Sequence, residues 1–470
     1  PPEIRWRRAR KRPTRSPVCA PFASESQAAT LGPNRLPDRS VRRMGQNGNP
    51  MRFQSPRGTE DVFPPASDRW LWLEGEFREQ CRLFGYGDIR TPTFEDTELF
   101  LRSSGETSEV VSKQMYSFLD KGGRDITLKP EGTAPVVRAV MEHGLYAPGN
   151  VLRLSYVTPI FRYERPQKGR LREAHQVGIE LIGSSSPEAD FEVILFTVGF
   201  YERLGLSDVV VSLNSIGRVQ CREAYRGAIL DHAKGYLGSL DAESRAKVER
   251  NPLRLLDSKD PKAAEVIAGL PSILDFLEPE SAAHFARLQS LLDFERVKYR
   301  VEPRIVRGLD YYTDTVFEVV SERLGAQSSL CGGGRYDQLM KELGGPEAPS
   351  VGVAMGVERA LIVLESMGAS PPVGTPSAFV VCAEDSLREE AWRLCGELRA
   401  ASIACQLDVE ARSLRSQLNQ ANKVGARVVA ILGPEESAEG SVTLKQMESG
   451  EQKRVSRVCF VEEVANWLGL

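Results

Sequence analysis

Five short stretches hold the residues able to do chemistry. In LKPEGTAPVVRA (residues 128–139), Glu131 sits at a Pro-Glu-Gly-Thr turn that opens a helix, with Thr133 and free backbone amides beside it. Its carboxylate either caps that helix or receives an ammonium group. In FRYERPQKGRLREAHQVGIELIG (161–183), Arg162 and Glu164 close one strand, and Gln176, Gly178 and Glu180 share one face of the next by the period of two. Charged and amide groups on a sheet face are costly when buried without partners, so they either meet solvent or line a pocket. RGLDYYTDTVFEVV (307–320) begins as Arg, Gly, Asp and two tyrosines and only then becomes an ordinary strand. In CGGGRYDQL (331–339), three glycines before Arg335 and Tyr336 either let the backbone approach a ligand or make a turn or bulge. In GVAMGVER (352–359), Arg359 stands in the first turns of a helix, placed to meet an anion or simply to lie at the surface.

The residue types point to one kind of reaction. Arginines at strand ends and at a helix start suit a triphosphate whose α-phosphorus is attacked, because charge gathers on its oxygens. Carboxylates and tyrosine hydroxyls suit a small zwitterion with hydrogen-bonding nitrogens in its side chain. Between the strands, Arg165, Lys168, Arg170 and Arg172 form a basic loop suited to a phosphate backbone. Together these describe an amino-acid-activating enzyme. Neither G-x-x-x-x-G-K-[ST] nor a strand-embedded G-x-G-x-x-G occurs, and there is no G-x-S-x-G or H-E-x-x-H.

The elements that must position these groups follow from hydrophobic periodicity. An amphipathic helix is expected over Trp70–Tyr86, a hairpin at QMYSFLDKGGRDITLKPE, and strands at VLRLSYVTPIFRYE and EAHQVGIELIG. Strands joined by hairpins predict a largely antiparallel α+β domain over 51–218 and 298–367, interrupted by a helical insertion at 219–297. A Pro/Gly/Ser linker over 368–377 leads to alternating strands and helices over 378–470, with a hairpin turning at Ser449-Gly450, read as an α/β domain with mostly parallel strands. Residues 1–50, densely basic at RWRRARKRPTR and otherwise rich in Pro, Ser, Ala and Asn, are expected to be a disordered or spurious extension, with Met44 and Met51 as plausible starts.

Composition fits a globular protein, with 41% hydrophobic and 27% charged residues. A net charge of −3 leaves a nucleic-acid partner open, since a local basic surface suffices. The eight cysteines are scattered without a C-x-x-C pair, and the four histidines lie far apart. A disulfide framework and a structural metal site are therefore not expected, and the cytoplasm is the expected location.

From about residue 53 onward the chain resembles the histidyl-tRNA synthetases, class II aminoacyl-tRNA synthetases, in the bacterial form. RGTEDVFP, LKPEGTAPVVRA, FRYERPQKGRLREAHQVGIE, RGLDYYTDTVFE, CGGGRYDQL and VGVAMGVER stand in the family's order. RGLDYY and GGGRYD are its histidine-specific signatures. The resemblance implies that ATP, carried with Mg²⁺, is held by Arg162, Glu164, Arg359 and Arg307, with Arg162 and Arg307 at the α-phosphate as catalytic groups. It implies that Glu131, Thr133 and Gln176 receive the α-amino end of histidine. Glu180 and Tyr312 would pair the imidazole, with Tyr311 and Tyr336 in the same pocket. Gln167, Lys168, Arg170 and Arg172 would meet the acceptor end of histidine tRNA. The α/β domain would contact the anticodon and the insertion the acceptor stem. It further implies a homodimer and no tightly bound cofactor, while no apolar run approaches the ~20 residues needed to cross a membrane, so no membrane association is expected. Lys129 and Val353 depart from the residues frequent in the family. The rival reading is a non-catalytic relative that senses histidine for ATP phosphoribosyltransferase. Such proteins usually lack the anticodon module and degrade the arginine signatures, whereas Arg307, Arg359 and the C-terminal domain are present here.

Overall fold

The computed structural model describes residues 53–105, 108, 110–166, 169–240, 242–257, 261–305, 311–321, 323, 329–369 and 377–470. Contacts divide the chain into residues 1–54 and a unit spanning Ser55–Leu470, and the description below concerns the second. The basic N-terminal stretch, Arg307, Gln167 and Lys168 lie outside the described residues.

The larger sheet draws on strands β1 (Gly87–Asp88), β5 (Leu152–Phe161), β6 (Glu173–Ile182), β7 (Val210–Ser215), β8 (Tyr299–Val301), β9 (Thr313–Val320), β10 (Ser329–Arg335) and β11 (Ser350–Gly356). Strands β2 (Phe94–Asp96), β3 (Tyr116–Leu119) and β4 (Asp125–Leu128) form a separate small sheet holding the expected hairpin. The large sheet runs in the order β1-β5-β6-β11-β10-β9-β7-β8, and its inner pairings, from β5 to β7, are all antiparallel. Parallel pairing is confined to the two edges, β1 on β5 and β8 on β7.

The two faces of this sheet follow directly from side-chain alternation. Val177, Ile179 and Leu181 of β6 join Val351, Val353 and Met355 of β11 in one hydrophobic core. Helices Ala66–Phe84, Pro187–Arg203, Pro279–Phe294 and Val357–Ser366 supply the rest of that core, through Phe77, Phe196, Leu288 and Val363 among others. The first of these helices was expected over Trp70–Tyr86. It begins earlier and ends before Gly85, whose left-handed conformation (φ 77°) lets its amide turn back to the Arg82 carbonyl. The opposite face carries Gln176, Gly178 and Glu180, with Tyr156, Tyr311, Tyr312 and Tyr336 in the second core.

Register explains why that second face is hollow. Across it Gly178 pairs with Tyr156 and Ala354, and Ala354 pairs with Gly332. One step along, Glu180 faces Gly352, which pairs with Gly334. Large side chains on β5 and β6 thus stand beside a floor of glycine and alanine on β10 and β11. A Cβ on Gly352 would lie 1.8 Å from Glu180 Oε2 and 2.7 Å from the Ile179 carbonyl.

Between β7 and β8 the chain is helical, with helices Val219–His232, Lys234–Ser239, Ala242–Arg250, Pro261–Ala268 and Pro279–Phe294. The C-terminal sheet comprises β12 (Ala378–Cys382), β13 (Cys405–Leu407), β14 (Val428–Leu432), β15 (Ser441–Gln446) and β16 (Gln452–Ser456), in the order β13-β12-β14-β15-β16. Its three N-terminal strands are parallel, and the last two form an antiparallel hairpin extending the sheet. It is therefore a mixed sheet, less parallel than the βαβ rhythm suggested. The expected Ser449-Gly450 turn forms the hairpin, and Gly450 adopts φ 76°.

Because Glu180 fills the space beside Gly352, Gly352→Ala should lower stability by about 1–3 kcal/mol through overpacking. Thermal unfolding of the variant, expected to show a drop of several degrees, measures this.

Candidate active site

Glu180 is the most deeply placed of the sequence-derived residues, with no exposed surface. Thr133 donates its hydroxyl to Oε1 at 2.8 Å, Tyr156 donates to the same oxygen at 3.2 Å, and Tyr336 donates to Oε2 at 2.5 Å. Burial pushes the carboxyl up to about 8, against the pull of these hydroxyls and with a further push from nearby Glu131. Burial likewise keeps Tyr156 and Tyr336 protonated, and both therefore remain donors. Glu180 does not itself line the cavity, whereas Thr133 and Tyr336, whose hydroxyls it accepts, do.

The cavity itself is lined by Glu131, Thr133, Arg162, Gln176, Tyr311, Tyr312, Gly332, Tyr336, Gly352, Val353 and Ala354. Both roles considered for Glu131 meet in one geometry. Its oxygens accept from the amides of Thr133 and Ala134, each at 2.7 Å, so it caps the helix Thr133–Glu142 while lining the cavity. Burial raises its carboxyl above the ordinary range, with the two amides and Arg162 pulling the other way. Gln176 brings a buried Oε1 that has no hydrogen-bond partner. A buried acceptor left unmatched is costly, which makes it a ready partner for a ligand donor.

A second, more open cavity continues from the first. Arg162, Gln176, Gly332 and Ala354 line both, and the second adds Glu164, Arg170, His175, Glu318, Glu358 and Arg359. Arg162 Nε donates to the Pro130 carbonyl at 2.7 Å, tying the strand end to the Glu131 turn. Arg359 Nη1 donates to the Ser329 carbonyl at 2.5 Å, and its burial, with neighbouring Arg170, disfavours the charged form. An anion entering this cavity would relieve that repulsion.

The basic loop is divided in its tasks. Arg170 is exposed and lies 3.6 Å from the Glu164 carboxylate. Arg172 is half-buried, stacks its guanidinium 4.0 Å from the centre of the Tyr163 ring, and lays its stem where a Cβ on Gly58 would be. Packing therefore already occupies Arg172. A Cβ on Gly169 would meet Ile362 and Arg359, and Gly169 and Arg170 line the outer cavity.

Several participants escaped the sequence reading. Tyr156 reads as an ordinary strand residue, and only its register opposite Gly178 places it on Glu180. Glu358 holds His175 through both its amide and Nδ1, at 2.9 and 3.1 Å. Arg335 proves to be structural: it is 1% exposed, pairs with Asp190 and Asp337, and donates to the carbonyls of Ser184 and Ser186. Of the glycines before it, Gly332 lines both cavities, and the register slips between Gly334 and Arg335, the expected bulge. Lys129 is buried, with Nζ on the Thr91 carbonyl and hydroxyl, away from the cavity lining. Among the described residues, no group of three or more His, Cys, Asp or Glu is placed to hold a metal ion.

An antiparallel sheet with a hydroxyl-ringed pocket beside an arginine-lined cleft, followed by a C-terminal α/β unit, defines a class II aminoacyl-tRNA synthetase. Residues 58–360 match the histidyl-tRNA synthetase family and residues 377–467 the anticodon binding domain family. A histidine–tRNA ligase of Moorella thermoacetica is 46% identical over 413 residues, covering 88% of this chain and 98% of that protein. The histidine–tRNA ligase of Synechococcus elongatus is 44% identical over 415 residues, with 88% and 95% covered. The crystal structure of apo S. aureus histidyl-tRNA synthetase superposes with a TM-score of 0.75 at 33% identity, covering 88% of this chain and 99% of that one. The chain belongs to the histidyl-tRNA synthetase family.

The position of Glu180 has a consequence for pH. Its carboxyl titrates near 8 when folded and near 4.5 when free, so between these values the folded chain binds more protons than the unfolded one. Stability should therefore fall as pH rises from about 4.5 to about 8. Glu180→Gln, neutral throughout, should flatten this decline by several degrees in the melting temperature, read by calorimetry across that range.

Proposed function

We propose that the chain activates L-histidine with ATP and transfers it to the 3′ end of histidine tRNA. Membership of the family supports this, and one observation in the structure carries it: Arg162 and Gln176 line both a small hydroxyl-ringed pocket and the arginine-bearing cleft beside it. An amino acid seated in the first would present its carboxylate to a phosphate held in the second.

In that arrangement Glu131 and Thr133 take the α-amino group, and the unmatched Gln176 Oε1 accepts from it. The imidazole offers one donor and one acceptor, which a carboxylate and a tyrosine hydroxyl complement. Tyr312 supplies the hydroxyl, and Tyr311 and Tyr336 complete the wall. In this reading Glu180, which retains acceptor capacity beyond its three hydroxyl donors, takes the ring's donor nitrogen. A side chain that cannot satisfy these groups leaves buried polar atoms unpaired, so discrimination needs no editing site.

ATP enters the outer cleft as its Mg²⁺ complex. Arg162 holds the α-phosphate and the substrate carboxylate, Glu164 assists nucleotide binding, and Arg359 holds the outer phosphates. Arg307, assigned by family resemblance, stabilises the charge on the α-phosphate oxygens. A histidine carboxylate oxygen attacks the α-phosphorus, the bond to the bridging oxygen breaks, and pyrophosphate leaves. The terminal ribose hydroxyl of tRNA then attacks the acyl carbon, its proton departs, and AMP is released. Gln167, Lys168 and Arg170 guide the acceptor end, with Arg172 supporting them through its packing on Tyr163 and Gly58, and the unit over 377–467 reads the anticodon. The domain limits given above, a homodimeric assembly and a cytoplasmic setting belong to the same reading. Among the described residues no helix is long and apolar enough to cross a membrane.

A second reading, a histidine-sensing relative without catalysis, is disfavoured by the Arg162 and Arg359 cleft and by the matched anticodon-binding unit. ATP–pyrophosphate exchange separates the two. Exchange should depend on histidine and on no other amino acid, and Arg307→Ala should lower its rate by about 10²–10³ with histidine affinity changed far less. Histidine binding without any exchange would support the sensor instead.

A further inference from the structure

The helix Val219–His232 heads the helical stretch between β7 and β8, and its first turn lies against the chain that leaves the tyrosine pair. Arg222 Nη1 donates to the Tyr312 carbonyl at 2.9 Å. Two residues further on, Asp314 is 4% exposed and holds φ 46°, the left-handed region that side chains other than glycine enter reluctantly.

Three contacts from one segment hold that conformation. The Asp314 amide donates to the Gly217 carbonyl at 3.0 Å, and the Ile216 amide donates to the Asp314 carbonyl at 2.7 Å. Arg218 Nε lies 3.6 Å from Asp314 Oδ2. Arg218 is itself tied to Glu280 at 2.6 Å, and the Cys221 amide donates to Glu278 at 3.0 Å. The beginning and end of the helical stretch thus converge on one point.

The strand register shows what this accomplishes. On one side β9 pairs with β10 as far as Val316 opposite Gly334, then slips so that Thr313 faces Arg335. On the other side it keeps step with β7 through Thr315 opposite Ser215. Asp314 and Thr315 form a bulge, and bulges re-aim the side chains next to them. The slip falls between Tyr312, which lines the pocket, and the regular strand. On the β10 side Gly334 leaves room for the bulge and Thr313 accepts from the Asp337 amide, while residues 216–218 hold Asp314 from the other side.

We propose that Arg218 and Arg222 are positioning residues: they hold the bulge at Asp314 and thereby set where Tyr312 stands in the amino-acid pocket. They touch no substrate. Displacement of the helix Val219–His232 is then transmitted to Tyr312, which links the helical stretch to amino-acid recognition. The proposal rests on the reading that Tyr312 meets the substrate imidazole.

The test uses the full chain with Arg222→Gln and Arg222→Lys. Losing a charged donor to a carbonyl should raise the histidine KM in pyrophosphate exchange about tenfold for Arg222→Gln. The KM for ATP should stay within about twofold, and Arg222→Lys, which keeps a charged donor, should recover most of the loss. A rise in both KM values alike, or in neither, overturns the proposal. If Arg222→Gln does not fold, Arg222→Lys carries the comparison, with a smaller rise confined to histidine. Amide hydrogen exchange over residues 311–320 gives a readout independent of activity. It should quicken in Arg222→Gln, and unchanged exchange rates would overturn the clamp even in a chain without catalysis. Absence of histidine-dependent exchange in the unsubstituted chain, with quickened amide exchange in the variant, would instead contradict the functional reading alone.

Discussion

A carboxylate buried beneath a sheet face governs the architecture around it. Glu180 has no contact with solvent, and a bare charge there would be prohibitively costly. The protein answers with hydroxyls from three separate elements: Thr133 at a helix start, Tyr156 on β5 and Tyr336 just after β10. Each must arrive within hydrogen-bonding distance, so the helix, the hairpin β5–β6 and the β10–β11 pair are constrained together. Gly352 is part of the same constraint, because the carboxylate takes the volume a side chain would fill.

The cavity follows from this arrangement. Filling one side of a sheet face with tyrosines and a glutamate, and the other with glycine and alanine, leaves a step between them. Into that step project Gln176 with an unmatched acceptor and Glu131, already committed to a helix cap. The step opens outward onto Arg162 and Arg359, so the polarity changes from hydroxyl-rich to cationic along one passage. A zwitterion joined to a phosphate has that same sequence of polarity. The buried pair of Arg335 and Asp190 stands behind Tyr336 and fixes the strand end that carries it.

How much of this was legible in the sequence depended on the range of the interaction. The period of two placed Gln176, Gly178 and Glu180 on one face, and local turn chemistry located the helix at Thr133. The glycine clusters at 332–334 and at 352 and 356 announced a need for space without saying whose atoms would use it. Tyr156 carried no signal of its own, since its role depends on cross-strand register. Arg335 was misleading for a similar reason, because its partner Asp190 lies 145 residues away. In the C-terminal unit the alternation of strands and helices indicated parallel pairing and the Ser449-Gly450 turn indicated the closing hairpin, whose antiparallel docking on β14 makes the sheet mixed. Arg307, Gln167 and Lys168 fall outside the described residues.

In the proposed function both nitrogens of the histidine ring are paired, one with a carboxylate and one with a phenol. Calorimetric titration with histidine and with its two ring-N-methyl isomers tests this most directly. Each isomer blocks one nitrogen and leaves the remaining groups intact. Both should bind at least about a hundredfold more weakly than histidine, in keeping with the loss of a buried hydrogen bond and the steric cost of the methyl group. Binding of either isomer with the affinity of histidine itself would contradict this pairing.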